Sequence, residues 1–130
     1  MIEPARILPV VYVAGPITSP SPMHNTHRAV KVGHALQDTG LMLPIVPHLS
    51  VLADMIEPRD YEAYMAYDLS LLHHVHALYR LWGESSGADR EVAYAHQIGL
   101  PVFTEVIDNA FNKGWADLID FCGAWRREWA

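Results

Sequence analysis

The chain has 130 residues, of which 51% are hydrophobic and 18% are charged, a composition that suits one globular domain and argues against a disordered segment. The net charge of −6 and the absence of a basic stripe argue against binding to nucleic-acid polymers. The longest apolar run, Ile7 to Gly15, is too short to cross a bilayer, and the single cysteine, Cys122, fits a reducing compartment, so we expect a cytoplasmic protein without membrane association.

The first part of the chain combines a strand pattern, a helical pattern and a second strand pattern. Ile7–Ala14 is a continuous apolar run typical of a buried parallel strand, and a loop rich in Gly, Pro, Ser and Thr follows it. Apolar residues then recur at helical spacing from Asn25 to Thr39, and Gly40 stands where a helix C-terminal cap belongs. Leu41–Val46 predicts a second short strand.

The second part continues the alternation after a segment around Pro58 that we interpret as a loop. The predicted elements are a helix over Asp60–His74, a strand over Ala77–Leu81, a helix over Ala88–Ile98, a strand over Leu100–Glu105 and a terminal helix. Strands that alternate with helices imply crossover connections and a mainly parallel sheet. We therefore predict one doubly wound α/β domain over residues 1–130, flavodoxin- or Rossmann-like, with four to five strands flanked by helices.

Two carboxylates occupy positions on the apolar faces of predicted helices. Asp68 is in helical register with Tyr64 and Leu72, and Glu91 is in register with Ala95. A buried charge is costly in free energy unless it is paired or lines a cavity. These two positions therefore need an explanation.

Two explanations are open. In the first, each carboxylate is hydrogen-bonded inside the structure to the backbone or to an arginine, such as Arg80 or Arg90. In the second, the carboxylates flank a cleft at the carboxyl ends of the strands, where α/β sheets bind ligands. Glycosidic bond cleavage needs such a pair, because one group attacks or stabilises the sugar carbon and the other moves protons or fixes a hydroxyl.

Three motifs, in this order, resemble the nucleoside 2-deoxyribosyltransferase-like superfamily, which includes deoxynucleoside 5′-monophosphate N-glycosidases and cytidylate N-hydrolases. They are Tyr12-Val13-Ala14-Gly15-Pro16-Ile17-Thr18, Tyr64-Met65-Ala66-Tyr67-Asp68-Leu69, and the stretch from Ser85-Ser86-Gly87 through Glu91 to Ala95 that is followed by Gly99-Leu100-Pro101-Val102-Phe103. The resemblance covers Ile7 to Phe103, and the Ser-x-Gly-x-x-x-Glu element is its most specific part.

The resemblance implies an N-glycosidase that hydrolyses a (deoxy)nucleoside 5′-monophosphate to free base and sugar phosphate. Glu91 would be the nucleophile on the anomeric carbon. Asp68 would orient it, bind the sugar or act as an acid, and Tyr12 would position the substrate. A nucleoside deoxyribosyltransferase and a non-catalytic nucleotide-binding or sensing module are the alternatives. No metal or organic cofactor is implied.

Substrate contacts are expected at the carboxyl edge of the sheet. The candidates, taken from the motifs and from the end of the second strand, are Gly15, Pro16, Ile17, His48, Ser85, Ser86 and Gly87. The loop after the first strand departs from the phosphate-specific relatives, because it contains no arginine.

A homodimer or larger homo-oligomer is also expected, since relatives usually assemble in this way with a neighbouring subunit closing the site. Asn112 is a candidate for that contribution. The terminal helix places Trp115, Trp125 and Trp129 on one stripe, which we interpret as core or subunit interface.

Three histidines, His73, His74 and His76, lie close together at the end of a predicted helix. Adjacent histidines point in different directions there, and no carboxylate or cysteine stands at ligand spacing, so we do not expect a metal site. His76 stands where many relatives have an aspartate that enters the third strand.

Overall fold

The structure, a computed structural model, describes residues 6–129, with side chains described up to residue 125. The strands are β1 (Val10–Ala14), β2 (Leu43–Ile45), β3 (Ala77–Arg80) and β4 (Val102–Thr104). The α-helices are α1 (Pro22–Asp38), α2 (Ser50–Ile56), α3 (Tyr61–Leu71), α4 (Ser86–Gln97) and α5 (Lys113–Trp129). Short 3-10 turns, Pro47–Leu49 and Leu72–His74, precede α2 and follow α3.

The four strands form one parallel sheet in the order β2-β1-β3-β4. In its register, Tyr12 of β1 lies beside Ile45 of β2 and Leu78 of β3. From β1 the chain proceeds first to β2 on one side and then to β3 on the other, so the strand order reverses between β1 and β3. This arrangement confirms the predicted doubly wound α/β fold, and the reversal point is where such sheets bind ligands.

Residues of β1 alternate between the two faces of the sheet, as a strand requires. Val11 and Val13 pack in one core with residues of α1 and α5, among them Leu36 and Leu118. The side chain of Tyr12 packs in the second core, on the side of α4. This alternation directs the one polar side chain of β1 toward the helix that carries Glu91.

Two helices differ clearly from the prediction, and α4 begins at Ser86 instead of Ala88. The first begins three residues earlier, because Ser21 caps it by accepting a hydrogen bond from the His24 amide and Pro22 stands in its first turn. The segment before Pro58 was predicted to be a loop but contains α2. Its larger apolar side chains, Leu52, Met55 and Ile56, are exposed, so it lacks the buried stripe that reveals a helix in a sequence.

The terminal helix α5 packs against the sheet through aromatic contacts. Trp115 packs against the core and makes an edge contact with Tyr79, which fits the first of the two predicted roles, core or subunit interface. The ring centroids of Trp125 and His76 lie 4.8 Å apart. Gly114 sits so close to β4 that a Cβ atom there would lie 1.7 Å from the Thr104 carbonyl oxygen. The side chain of Trp129 lies outside the described residues.

His76 has a structural role at the start of the sheet. Its Nδ1 atom accepts a hydrogen bond of 2.9 Å from the Val10 amide, the first residue of β1. An acceptor at this position satisfies a backbone donor that would otherwise be left unpaired at the edge of the ladder. Within residues 6–129, none of the helices combines the length and apolar character needed to span a membrane.

Candidate active site

A cleft of about 540 Å³ opens at the carboxyl ends of β1 and β3, the reversal point of the sheet. The loop after β1 forms one wall, α2 and α3 form another, and the start of α4 closes it. Eight of the predicted site residues line this cleft: Gly15, Pro16, Ile17, Asp68, Ser85, Ser86, Gly87 and Glu91. The three motifs, which are far apart in the sequence, therefore meet at one place.

Glu91 lies in the first half of α4 with only 4% of its surface exposed, and Asp68 is 9% exposed on α3. The hydroxyl of Tyr12, a fully buried side chain, donates a hydrogen bond to Oε2 of Glu91. Tyr12 does not itself line the cleft, and it contacts Glu91 from the side of the sheet. Its contact with Glu91 is present, whereas its contact with a substrate stays a prediction.

Burial raises the pKa of Glu91 to about 7, because the ionised carboxylate loses its water shell. The hydrogen bond from Tyr12 opposes this shift, and the negative charge of Asp68 adds to it. Burial likewise raises the pKa of Asp68 to about 6, against a lowering interaction with Tyr12. Burial, followed by the two carboxylates, raises the pKa of Tyr12, which therefore remains a hydrogen-bond donor. Near pH 7, ionised and protonated forms of Glu91 coexist.

The arginines that could have neutralised these carboxylates are paired elsewhere. Arg80 forms an ion pair with Asp89 at 3.2 Å, and Arg90 forms one with Glu62 at 2.8 Å. Among the described residues, neither cleft carboxylate takes part in a salt bridge. The structure therefore contradicts the arginine-pair explanation of their burial, and both carboxylates line the cleft.

The start of α4 is held by its own cap. The Ser85 hydroxyl oxygen accepts a hydrogen bond of 3.0 Å from the Ala88 amide, as an N-cap residue does. We expected Gly87 to allow a ligand to approach the backbone. The structure adds a packing reason, since a Cβ atom there would lie 3.2 Å from the Tyr61 hydroxyl and 3.4 Å from Met65 Cε.

His48 does not line the cleft but supports one of its walls. Its side chain is fully buried, with Nε2 lying 3.0 Å from the carbonyl oxygen of Pro16. A carbonyl only accepts, so Nε2 carries the proton and donates it. Burial lowers the pKa of His48, and its buried Nδ1 atom has no hydrogen-bond partner, both of which favour the neutral ring.

Asn112 is also placed away from the cleft of its own chain. Its side-chain oxygen accepts hydrogen bonds from the amides of Val106 and Trp115, and its nitrogen donates to the Tyr79 hydroxyl at 3.1 Å. These bonds hold the segment that leads into α5 against the sheet. A contribution of Asn112 to a neighbouring subunit stays a prediction.

The structure adds cleft residues that sequence reasoning missed. Oδ1 of Asp54, on α2, accepts hydrogen bonds from the Arg59 amide at 3.0 Å and from the Tyr64 hydroxyl at 2.9 Å. Tyr61 and Tyr64 share the face of α3 that carries Asp68, so their spacing could have revealed them. Asp54 and Arg59 lie in the segment predicted to be a loop, where no pattern distinguishes them.

No cluster of three or more His, Cys, Asp or Glu side chains in the described part of the chain is arranged to hold a metal ion. Of the three clustered histidines, His73 lies beside the Tyr94 hydroxyl and His76 binds the backbone of β1. Buried carboxylates such as those of the cleft can act in general as acid, base or nucleophile.

Comparison with known proteins gives one family match. A family model described as a domain of unknown function (DUF4406) matches residues 9–104, which include all four strands and the whole cleft. No curated protein matches the sequence.

Proposed function

The chain belongs to the DUF4406 family, and we propose that within this family it cleaves the N-glycosidic bond of a nucleotide or nucleoside. The preferred reaction is hydrolysis of a (deoxy)nucleoside 5′-monophosphate to free base and sugar phosphate. One observation carries the proposal: two buried carboxylates without arginine partners, Glu91 and Asp68, face one cleft at the reversal point of the sheet. The resemblance of the three motifs to nucleoside 2-deoxyribosyltransferases supports the same chemistry.

In the proposed mechanism, the Glu91 carboxylate attacks C1′ of the sugar as the bond from C1′ to the base nitrogen breaks. The departing base takes up a proton, and Asp68 is the cleft carboxyl group that can supply it. Water then hydrolyses the resulting ester. Its oxygen becomes the hydroxyl on C1′, Glu91 leaves as a carboxylate, and the proton released returns to Asp68.

Tyr12 acts through Glu91 in this scheme. Its hydrogen bond fixes the carboxylate and favours the ionised form, which is the nucleophile. The burial of Glu91 has the opposite effect, because it raises the pKa and makes the carboxylate more reactive once it is ionised. The balance of the two places the pKa of Glu91 close to neutral pH, the range in which a nucleophile or base works best.

We further propose that the protein acts in the cytoplasm as a homodimer or larger oligomer. The single cysteine, Cys122, is buried and free. Exposed apolar side chains on α2, next to the cleft, support an interface: Leu52, Met55 and Ile56. Light scattering at working concentration tests the assembly, and a monomer would contradict it.

Base release by purified protein tests the activity. A panel of nucleosides and nucleoside 5′-monophosphates is incubated with wild type and Glu91→Gln, and free base is measured by chromatography. Glu91→Gln should lose several orders of magnitude in rate, the scale expected when a nucleophile is removed. Glu62→Gln is the matched control, because Glu62 is an exposed acid outside the cleft.

The alternatives give different outcomes in the same experiment. Transfer of the sugar to an added second base would indicate a deoxyribosyltransferase. Binding of nucleotides without any release of base would indicate a sensing module. A Glu91→Gln variant that keeps most of the wild-type rate would show that Glu91 is not the nucleophile.

A further inference from the structure

The cleft has an uneven charge distribution. Four acidic side chains line it, Asp54, Asp68, Glu84 and Glu91, and among the described residues a single cationic side chain does so, Arg59. An anionic group on a ligand would be repelled by most of this wall. Arg59 therefore carries the positive side-chain charge in this lining that would attract an anion.

The main chain at Arg59 is fixed while its side chain is accessible. The Arg59 amide donates to Asp54, which the Tyr64 hydroxyl also holds, so two elements of the cleft wall anchor this residue. The side chain is 63% exposed, and its ion pair with Glu57 spans 4.0 Å to an acid that is 77% exposed. An exposed pair of this kind contributes little free energy, so the guanidinium can turn to a ligand.

The distance between Arg59 and Asp68 along α3 suits an anionic group that is attached to the sugar. Arg59 precedes α3, and Asp68 lies two turns into it on the face that lines the cleft. A helix rises about 1.5 Å per residue, so the start of α3 lies roughly 10 Å from Asp68 along the axis. A sugar whose C1′ lies at the two carboxylates and whose 5′ end points along α3 would direct a 5′-phosphate toward Arg59.

We propose that Arg59 binds the 5′-phosphate of the substrate and thereby selects nucleoside 5′-monophosphates over nucleosides, an inference that rests on the proposed function. A guanidinium presents paired N–H donors whose geometry matches phosphate oxygens. The loop after β1, residues 15–20, contains no cationic side chain. In this chain the cation therefore comes from the connection between α2 and α3.

Equilibrium binding tests the inference without requiring turnover. In the Glu91→Gln background, calorimetry gives Kd for AMP, GMP, CMP, UMP and dTMP and for the five matching nucleosides. The monophosphate should bind about 10-fold or more tightly than its nucleoside, the scale of charge-assisted hydrogen bonds. Arg59→Met should bring that ratio close to one and leave nucleoside binding unchanged.

Two further variants separate charge from shape. Arg59→Lys keeps the charge and should retain part of the preference for the monophosphate, because an ammonium lacks the paired donors. Lys31→Met removes a positive charge from an exposed position on α1, outside the cleft. This variant should keep the full preference for the monophosphate. The ratio of kcat/KM values for monophosphate and nucleoside, measured with the same substitutions in otherwise wild-type protein, provides an independent readout.

The outcomes distinguish this inference from the proposed function. If the preference for the monophosphate survives Arg59→Met, or if the variant weakens nucleoside and monophosphate equally, Arg59 does not bind the phosphate, while the N-glycosidase proposal stands. If neither nucleosides nor monophosphates bind at all, both proposals are wrong. Melting curves for each variant confirm that the comparison is made between folded proteins.

Discussion

The hydroxyl of Tyr12 donates a hydrogen bond to Oε2 of Glu91, and this contact joins the central strand β1 to helix α4. Both side chains are buried, with no more than 4% of either exposed. The bond therefore operates where little water competes with it, and it directly opposes the effect of burial on the carboxylate.

Tyr12→Phe should move the acid limb of the pH–rate profile to higher pH. Without the hydroxyl, Glu91 loses the interaction that lowers its pKa, so the pKa rises above about 7 and less carboxylate is present at neutral pH. We expect kcat/KM at pH 7 to fall about 10-fold or more. Profiles from pH 5 to 9 for both proteins make the comparison. Tyr94→Phe, which removes a hydroxyl that lies beside His73 and outside the cleft, should leave the limb in place.

Glu91→Gln should stabilise the fold at alkaline pH. The pKa of Glu91 is raised on folding, so the folded state binds more protons than the unfolded state between about pH 4.5 and 7. The free energy of unfolding of wild type therefore decreases as the pH rises through this window, by on the order of 3 kcal/mol for this group. Urea denaturation at pH 5 and pH 8 should show a variant whose advantage is larger at pH 8. An advantage that is independent of pH would contradict the raised pKa.

His48 should have the opposite pH dependence. Its pKa is lowered on folding, so below about pH 6.5 the unfolded state takes up a proton that the folded state resists. The stability that the neutral ring contributes is present above this pH and is lost as the pH falls. In urea denaturation from pH 7.5 to 5, His48→Gln should lose less stability than wild type. His34→Gln, at an exposed position on α1, should follow wild type, and a His48→Gln curve parallel to wild type would count against this account.

Gly114→Ala should strongly destabilise the fold. The added Cβ atom would lie 1.7 Å from the Thr104 carbonyl oxygen, so α5 would have to move away from β4. We expect a loss of roughly 3 kcal/mol or more in the free energy of unfolding. Gly99→Ala meets no atom within 4 Å, and its φ of +75° should limit the loss to about 1 kcal/mol. Equal losses in the two variants would show that α5 tolerates displacement.

The sequence predicted those parts of the site whose signal is local. The apolar run around Tyr12 identified the central strand. The helical register of Asp68 and Glu91 with apolar neighbours predicted that both carboxylates are buried, either paired or at a cleft, and both are buried and line the cleft. The sequence predicted this helix to begin at Ala88, whereas it begins at Ser86 and Ser85 caps it.

The remaining parts depend on tertiary contacts. The role of His48 depends on the Pro16 carbonyl that it meets across the fold, and Arg59 lines the cleft only because α2 replaces the expected loop. The amide of Asn112 is bonded within its own chain, a use that no spacing in the sequence reveals, and its contribution to a neighbouring subunit stays a prediction.

The parallel pairing of β1 with β3 has a consequence for biosynthesis. Tyr12 and Glu91 are 79 residues apart in the chain, and α1, β2, α2 and α3 must all be made before β3 can join β1. A nascent chain that has emerged only as far as α3 leaves one edge of β1 unpaired and its apolar side chains only partly covered. A chain that pauses on the ribosome before β3 therefore exposes this strand edge to other chains, because pairing between strands distant in the sequence is slow.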